Sequence, residues 1–178
     1  MPTTNYRLII KDRGWNEIKK EHKRLDGVKI EVGLFGSGNS PENNIAARGA
    51  VHEYGARIKI TEKMRAFLHA IGIHVKASTM FINIPSRPFM RNAFDSNIRV
   101  LKKFIEVQYK KLLNDEIELD KFFKRIGVFH EGQIKGSIKT GSYTRLHPAT
   151  IAKKGSSKPL IDTGVMLNGV KYKIKIRL

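Results

Sequence analysis

Two stretches of the sequence alternate between apolar and polar residues, the period-two pattern of a half-buried β-strand. The first covers residues 28–34, and the second covers residues 170–178, VKYKIKIRL, in which every second residue is Lys or Arg. A cationic face on a strand discourages pairing with other chains at a sheet edge. Strand-forming composition between turn signals predicts further strands. These cover residues 6–11, 57–60, 73–75 and 80–84.

Apolar residues at three- and four-residue spacing predict the helices. They cover residues 15–25, 43–54, 61–71, 92–114 and 116–137, with one capped turn at the start of residues 146–164. Pro41 is well placed to open the second helix, Gly55 to end it, and Thr61 to cap the third. In the last long helix Gly127, Gly132 and Gly136 weaken the pattern, unless small residues there let another backbone approach.

This order of elements predicts an α+β fold: a small, mostly antiparallel sheet with helices packed on one side, joined by extended loops. The length of 178 residues suits a single domain, 1–178. Within it we distinguish an N-terminal strand and helix (1–27), a core of strands and helices (28–138), and a basic loop with the C-terminal strand (139–178).

The net charge of the chain limits the kinds of molecule that it is expected to bind. The chain has 34 Lys and Arg residues against 16 Asp and Glu residues, a net charge of +18. Such a field favours nucleic acid, anionic membrane or acidic protein as a partner. No apolar run approaches the length of a membrane span, and the N-terminus lacks an apolar signal core, so we expect no membrane partner. From Lys139 onward the sequence contains nine basic residues and a single acidic residue, Asp162.

Candidate catalytic groups are few. Cysteine is absent, which excludes disulfides, thiolate zinc sites and cysteine nucleophiles. The run LIDTG at 160–164 matches the active-site loop of retroviral-type aspartic proteases, but only 14 residues follow Gly164, too few for the barrel of that fold. The alternative is a turn before the last strand in which Asp162 bonds to nearby amides. We therefore predict a protein that is not an enzyme, with no catalytic residues.

Metal and cofactor motifs are missing as well. The six histidines lack the spacing of a zinc-binding helix. The KGSSK run at 154–158 could cradle a phosphate through its amides, but it lacks the context of a nucleotide-binding loop, which favours a solvated basic turn. We predict no cofactor and no metal.

Several basic and aromatic residues are candidate contacts to partner proteins or DNA. Pro85 and Pro88 fix an extended segment in which Phe89, between two arginines, is a candidate exposed anchor; the alternative is that Phe89 belongs to the core. Basic residues near tyrosines could also hold backbone phosphates, which keeps a nucleic-acid-binding module as the alternative function. The full candidate set is Arg87, Phe89, Arg91, Tyr143, Lys153, Lys154 and Lys158.

Three short segments occur in a fixed order: HEYG at 52–55, IPSRPFMR at 84–91, and LHPATI at 146–151 running on to KGSSKPLIDTG. Together they resemble the tail-completion or virion-morphogenesis proteins of tailed bacteriophages, a group that includes Mu-like and neck-type minor structural proteins. The likeness extends from about Val28 to the end of the sequence. Two features depart from it: only Tyr143 stands where relatives have an aromatic-rich approach, and VMLNG follows DTG where they have a basic-polar turn.

The resemblance implies a structural virion protein, a small α+β subunit that assembles into a ring, typically a hexamer. The ring would lie at the head–tail junction, where it caps the tail tube or joins it to the connector, with double-stranded genomic DNA passing through the bore. Its partners would then be other copies of itself and the connector, neck and tail-tube proteins of the phage. Assembly would take place in the cytoplasm of the bacterial host.

Overall fold

The computed structural model describes residues 14–36 and 44–176, and within them the α+β class is confirmed. The elements are α1 (Trp15–Leu25), β1 (Val28–Leu34), α2 (Ile45–Tyr54), β2 (Ala56–Lys59), α3 (Glu62–Ala70), β3 (Phe81–Ile84), α4 (Phe89–Leu113), α5 (Leu119–Thr140), α6 (Pro148–Lys154), α7 (Val165–Gly169) and β4 (Val170–Ile176). The strands form two separate two-stranded antiparallel sheets instead of the single sheet expected.

The larger sheet joins the two period-two strands. β1 pairs with β4 over seven residues, from Val28 opposite Ile176 to Leu34 opposite Val170. Its apolar face packs on α5, where a Cβ on Gly127 would lie 2.4 Å from the Tyr172 ring. This glycine therefore permits close packing of helix on sheet, as its position suggested, although the neighbour is a side chain and not a backbone. Gly132 and Gly136 have no atom within 4 Å of such a Cβ.

Helices α4 and α5 form a long antiparallel hairpin that carries the core. Phe104 and Phe129 stack across it, with ring centroids 4.0 Å apart. The buried side chains form two clusters along the hairpin. One contains Phe89, Ala93, Ile134, Ile138, Leu160 and Val170, and the other contains Leu112, Ile117, Phe122 and Ile126.

Residues 56–84 form a separate segment of the chain between α2 and α4, which we call the arm. β2 and β3 pair from Ala56 opposite Ile84 to Lys59 opposite Phe81, and α3 lies between them in the chain. In α3 the Thr61 hydroxyl accepts a hydrogen bond from the Met64 amide (3.2 Å), which confirms the predicted cap. No residue of α3 is buried.

Local signals predicted most elements correctly, but the starts of three helices were wrong. α2 begins at Ile45, because the Asn44 side chain accepts from the amides of Ala46 and Ala47; Pro41 lies outside the described residues. α4 begins at Phe89 and not at residue 92, while α5 begins at Leu119 and not at 116. The predicted strand at 6–11 lies outside the described residues, as do residues 37–43 of the glycine-rich loop.

The strand predicted at 73–75 is also wrong. Its backbone groups are used elsewhere: the Ile73 amide donates to the Leu68 carbonyl (2.8 Å), and the Val75 carbonyl accepts from the Arg65 guanidinium (3.2 Å). β3 pairs with β2 instead.

The C-terminal connection is more helical than expected. α6 has seven residues where one turn was predicted, and α7 fills the place of a simple turn before β4.

Candidate functional site

The N-terminus of α4 is capped by a glutamate 36 positions upstream. Glu53 is only 5% exposed, and its carboxylate accepts hydrogen bonds from the amides of Met90 (2.9 Å) and Arg91 (3.0 Å). The Phe89 amide donates to the Arg87 carbonyl (2.8 Å), and the Asn92 amide donates to the Pro88 carbonyl (2.9 Å). All four amides of the first turn thus have acceptors, and a negative charge lies at the positive end of the helix dipole.

The segment that carries this glutamate lies directly against the segment that opens α4. The Ser86 hydroxyl donates to the Glu53 carbonyl (2.8 Å), and the Arg87 amide donates to the His52 carbonyl (2.6 Å). Gly55 ends α2 with φ = 78°, and a Cβ there would lie 2.9 Å from the Ile84 carbonyl oxygen. Only glycine suits this position, since it needs both a left-handed backbone and no side chain.

Arg87 joins the same junction to the C-terminal part of the chain. Its side chain is buried, and Nε donates to the Thr144 carbonyl (3.0 Å), just before residues 146–151. Leu160, from the same C-terminal segment, packs in the core cluster with Phe89. The three segments that carry the family resemblance therefore meet at one place, which we call the junction.

Of the two alternatives for Phe89, the core residue is confirmed and the exposed anchor is wrong. Phe89 is fully buried, because the cap from Glu53 lets α4 start there and turns the ring into the core. Arg87 is buried too, and burial lowers the pKa of its guanidinium. Of the three residues only Arg91 faces solvent, where its guanidinium lies 5.4 Å from the centre of the exposed Tyr54 ring and 3.5 Å from Glu53.

The Tyr143 side chain also forms hydrogen bonds within the fold. Its hydroxyl lies 2.6 Å from Ser137 Oγ and donates to the Ser137 carbonyl (3.0 Å) at the end of α5. Burial raises the pKa of the Tyr143 phenol. The Tyr143 hydroxyl is therefore used within the fold.

The three candidate lysines take different roles. Lys154 Nζ donates to the carbonyls of Lys158 and Pro159 and closes the loop after α6, and burial lowers its pKa. Lys153 Nζ lies 5.6 Å from the centre of the Phe67 ring, the contact that links α6 to the arm. Lys158 remains exposed. The loop is therefore held internally, which favours a basic turn over a phosphate cradle.

The junction borders a cleft of about 150 Å³ lined by Arg48, His52, Asp162 and Thr163, among others. His52 Nδ1 is buried and has no hydrogen-bond partner among the described residues. Burial lowers the pKa of His52, and the nearby cations Arg87, Lys154 and Arg48 lower it further. Asp162 is exposed, and within the described part of the chain its carboxylate accepts no hydrogen bond, so the expected bond to nearby amides is not formed.

A second basic surface lies on the outer face of the β1–β4 sheet. Its cations are Lys29, Lys171, Lys173 and Lys175, all exposed. Glu31 lies among them, 2.8 Å from Lys175 Nζ and 3.1 Å from Lys29 Nζ, and its pKa is lowered by the hydrogen bonds from Lys175 and Lys29. We call this surface the lysine face.

The sequence did not reveal the capping role of Glu53. One signal pointed to it indirectly: α4 starts after Pro88, which has no side chain able to accept from the first amides, so an acceptor had to come from elsewhere.

Residues 14–36 and 44–176 contain no group of three His, Asp or Glu side chains arranged to hold a metal ion. Within the same ranges, no helix is both long and apolar enough to cross a bilayer. Comparisons with protein-family models, with curated proteins and with solved structures gave no match.

Proposed function

We propose that this protein is a structural virion protein of a tailed bacteriophage. In this proposal it is a neck or tail-completion subunit that forms a homo-oligomeric ring, six copies by the family pattern. The ring lies at the head–tail junction and joins the tail tube to the connector around the DNA channel. It acts by assembly, without catalytic turnover.

The observation that carries the proposal is the junction. The three segments on which the resemblance depends are separated by some 30 and 55 residues in the chain. The first two contact each other through Glu53, and Leu160 of the third packs in the same buried cluster as Phe89 of the second. Chance matches of short motifs would have no reason to meet. Their convergence supports a common structural unit, whose polar residues are used to hold helices and loops together.

The exposed surfaces support assembly as the activity. The arm leaves apolar side chains uncovered, and the full sequence has a net charge of +18. Both features suit contacts with neighbouring subunits and with acidic partner proteins.

The solution mass of the purified protein, measured by light scattering at low and high salt and combined with negative-stain imaging, tests the proposal. We expect rings with a mass of about six times the subunit mass of 20.3 kDa. A monomer at every concentration and both salts would contradict ring formation by this chain.

The lysine face favours a second candidate, a nucleic-acid-binding module. Four exposed lysines lie on adjacent strands around a single anion, Glu31, which leaves this surface a net positive charge. Lys173 Nζ lies 4.4 Å from the centre of the Phe35 ring. Binding to duplex DNA, measured by fluorescence anisotropy across a salt series, tests it. The module predicts retention at physiological salt that is lost when Lys171, Lys173 and Lys175 become Glu, but not when Lys153, Lys154 and Lys158 do.

A further inference from the structure

The arm is held in shape by its own contacts. The Arg65 guanidinium donates to the carbonyls of Val75 (3.2 Å), Lys76 (2.7 Å) and Thr79 (2.8 Å), which fixes the return of the chain from α3 to β3. At the strand pair, the Arg57 guanidinium lies 3.9 Å from the centre of the Phe81 ring. A segment with this much internal bonding is organised before any partner arrives.

Three large apolar side chains of the arm are nevertheless exposed, although Ile60 is buried. Phe67 is 57% exposed and Met80 is 54% exposed, and Phe81 is also exposed. Among the described residues, β2, α3 and β3 make few contacts with the remaining elements, of which the Lys153–Phe67 contact is one. A preformed segment with exposed aromatic and Met side chains has the character of an interaction surface.

Charge indicates which surface covers it. The arm has five cations, Arg57, Lys59, Lys63, Arg65 and Lys76, against the single anion Glu62. The turn between α4 and α5 and the first two residues of α5, residues 114–120 (NDEIELD), have four anions and no cation. We call this stretch the acidic turn. All four carboxylate residues, Asp115, Glu116, Glu118 and Asp120, are exposed, and Asp120 also pairs with Lys124 (2.6 Å) on α5. In a chain with net charge +18, the acidic turn is the stretch whose negative charge best matches the positive charge of the arm.

One copy cannot satisfy this pairing alone. The arm leads through residues 85–88 into the N-terminus of α4, whereas the acidic turn follows the C-terminus of the same helix. α4 has 25 residues and is therefore about 37 Å long. The arm does not fold back along it, as the few contacts between arm and hairpin show. The complementary surfaces lie at opposite ends of the subunit.

We infer that the arm of one copy docks on the acidic turn of a neighbouring copy. Exposed apolar groups of the arm are then covered, while its lysines face the carboxylates of the turn. The contact is head-to-tail, the kind that generates a closed ring when its rotation closes and an open filament otherwise. The inference rests on the proposed self-assembly and names the surfaces that carry it.

The absence of cysteine makes a direct test possible, because any introduced thiol is unique. We would mix the full-length variants Lys63→Cys and Glu118→Cys and treat them with a short thiol–thiol cross-linker. We expect rapid formation of the mixed dimer. The control pair is Lys102→Cys with Glu118→Cys, where Lys102 is an exposed residue in the middle of α4. A yield for the arm pair no higher than for the control pair overturns the inference.

Charge reversal gives a second measurement on the same contact. Lys59→Glu with Lys63→Glu, or Glu116→Lys with Glu118→Lys, should each lower the assembled fraction at least tenfold at low salt. The two reversals move the net charge in opposite directions, so a loss in both cannot come from overall repulsion. A chain carrying all four changes should assemble again, and failure of that rescue counts against the contact.

The outcomes separate the inference from the proposed function. Rings that form without cross-linking between arm and turn overturn the inference alone. A monomeric protein without cross-links overturns both.

Discussion

The cap that Glu53 provides to α4 can be tested by removing its acceptors one at a time. In Glu53→Ala both amides, of Met90 and Arg91, lose their acceptor. A buried amide left without a partner costs about 1–3 kcal/mol, and these two are only partly buried, so we assign about 1–2 kcal/mol to each. The ion pair with Arg91 adds little, about 0–1 kcal/mol, because the arginine side chain is 58% exposed. The expected loss in the free energy of unfolding is about 2–5 kcal/mol, of which the two amides account for about 2–4 kcal/mol.

Glu53→Gln separates hydrogen bonding from charge. The amide side chain keeps one oxygen acceptor, but its NH₂ group faces the second backbone N–H, and the favourable charge at the helix N-terminus is lost. We expect a loss of about 1–3 kcal/mol, smaller than that of the alanine variant. Urea unfolding followed by the helical circular dichroism signal measures both, with the m-value expected to stay unchanged.

The matched control is Glu131→Gln on α5. This glutamate is also partly buried, but it pairs with Lys135 one turn away on the same helix and caps nothing. We expect a loss below about 1 kcal/mol. If Glu53→Ala costs no more than this control, the cap does not hold α4 as described. An alanine variant as stable as the glutamine variant would refute the assignment of one acceptor to each amide.

Three further changes test separate parts of the fold by urea unfolding or hydrogen exchange. Gly127→Ala should destabilise the protein by about 1–3 kcal/mol, because the new Cβ would meet the Tyr172 ring. Gly132→Ala on the same helix should be neutral or stabilising by up to about 1 kcal/mol, and equal effects of the two changes would contradict the packing of the sheet on α5. The pKa of His52 is lower in the folded protein than its ordinary value of 6.5, so at pH values below 6.5 the unfolded chain binds more protons and the free energy of unfolding should decline. In His52→Asn this part of the decline should disappear, and a pH profile identical to that of the unsubstituted protein would refute the role of His52. Arg65→Ala removes three hydrogen bonds to arm carbonyls, so amide exchange should accelerate in the arm while the α4–α5 hairpin stays protected; loss of protection throughout would show that the arm is not a separate unit.

The features that sequence alone could predict are those fixed by neighbouring residues. The alternation in β1 and β4, the cap at Thr61 and the glycine at the end of α2 each depend on a few adjacent positions, and the structure confirms them. Phe89 shows the limit of such patterns, because the sequence left it open between an exposed anchor and a core residue. The start of α4 at Phe89 depends on acceptors from Glu53, far away in the chain, and no local pattern contains that information.

The same cause accounts for the other errors. The predicted strand at 73–75 has suitable residues, but Arg65 and the end of α3 take its backbone groups. Lys154 looked free for a partner until the fold brought carbonyls of its own loop within reach. Composition showed that cations are in excess, and only the three-dimensional arrangement shows which of them are already occupied.

The pairing of β1 with β4 also determines when this fold can be completed during synthesis. The two strands are separated by more than 130 residues, so the larger sheet cannot close until β4 has left the ribosome. The arm and the helical hairpin, by contrast, use contacts within short stretches of chain and can form earlier. Closure of the sheet places Leu160 and Val170 in the cluster around Phe89. A chain that stops before β4 therefore has the residues of the arm but cannot close the larger sheet, and in the proposed ring such an incomplete chain would lack part of the body that holds the arm.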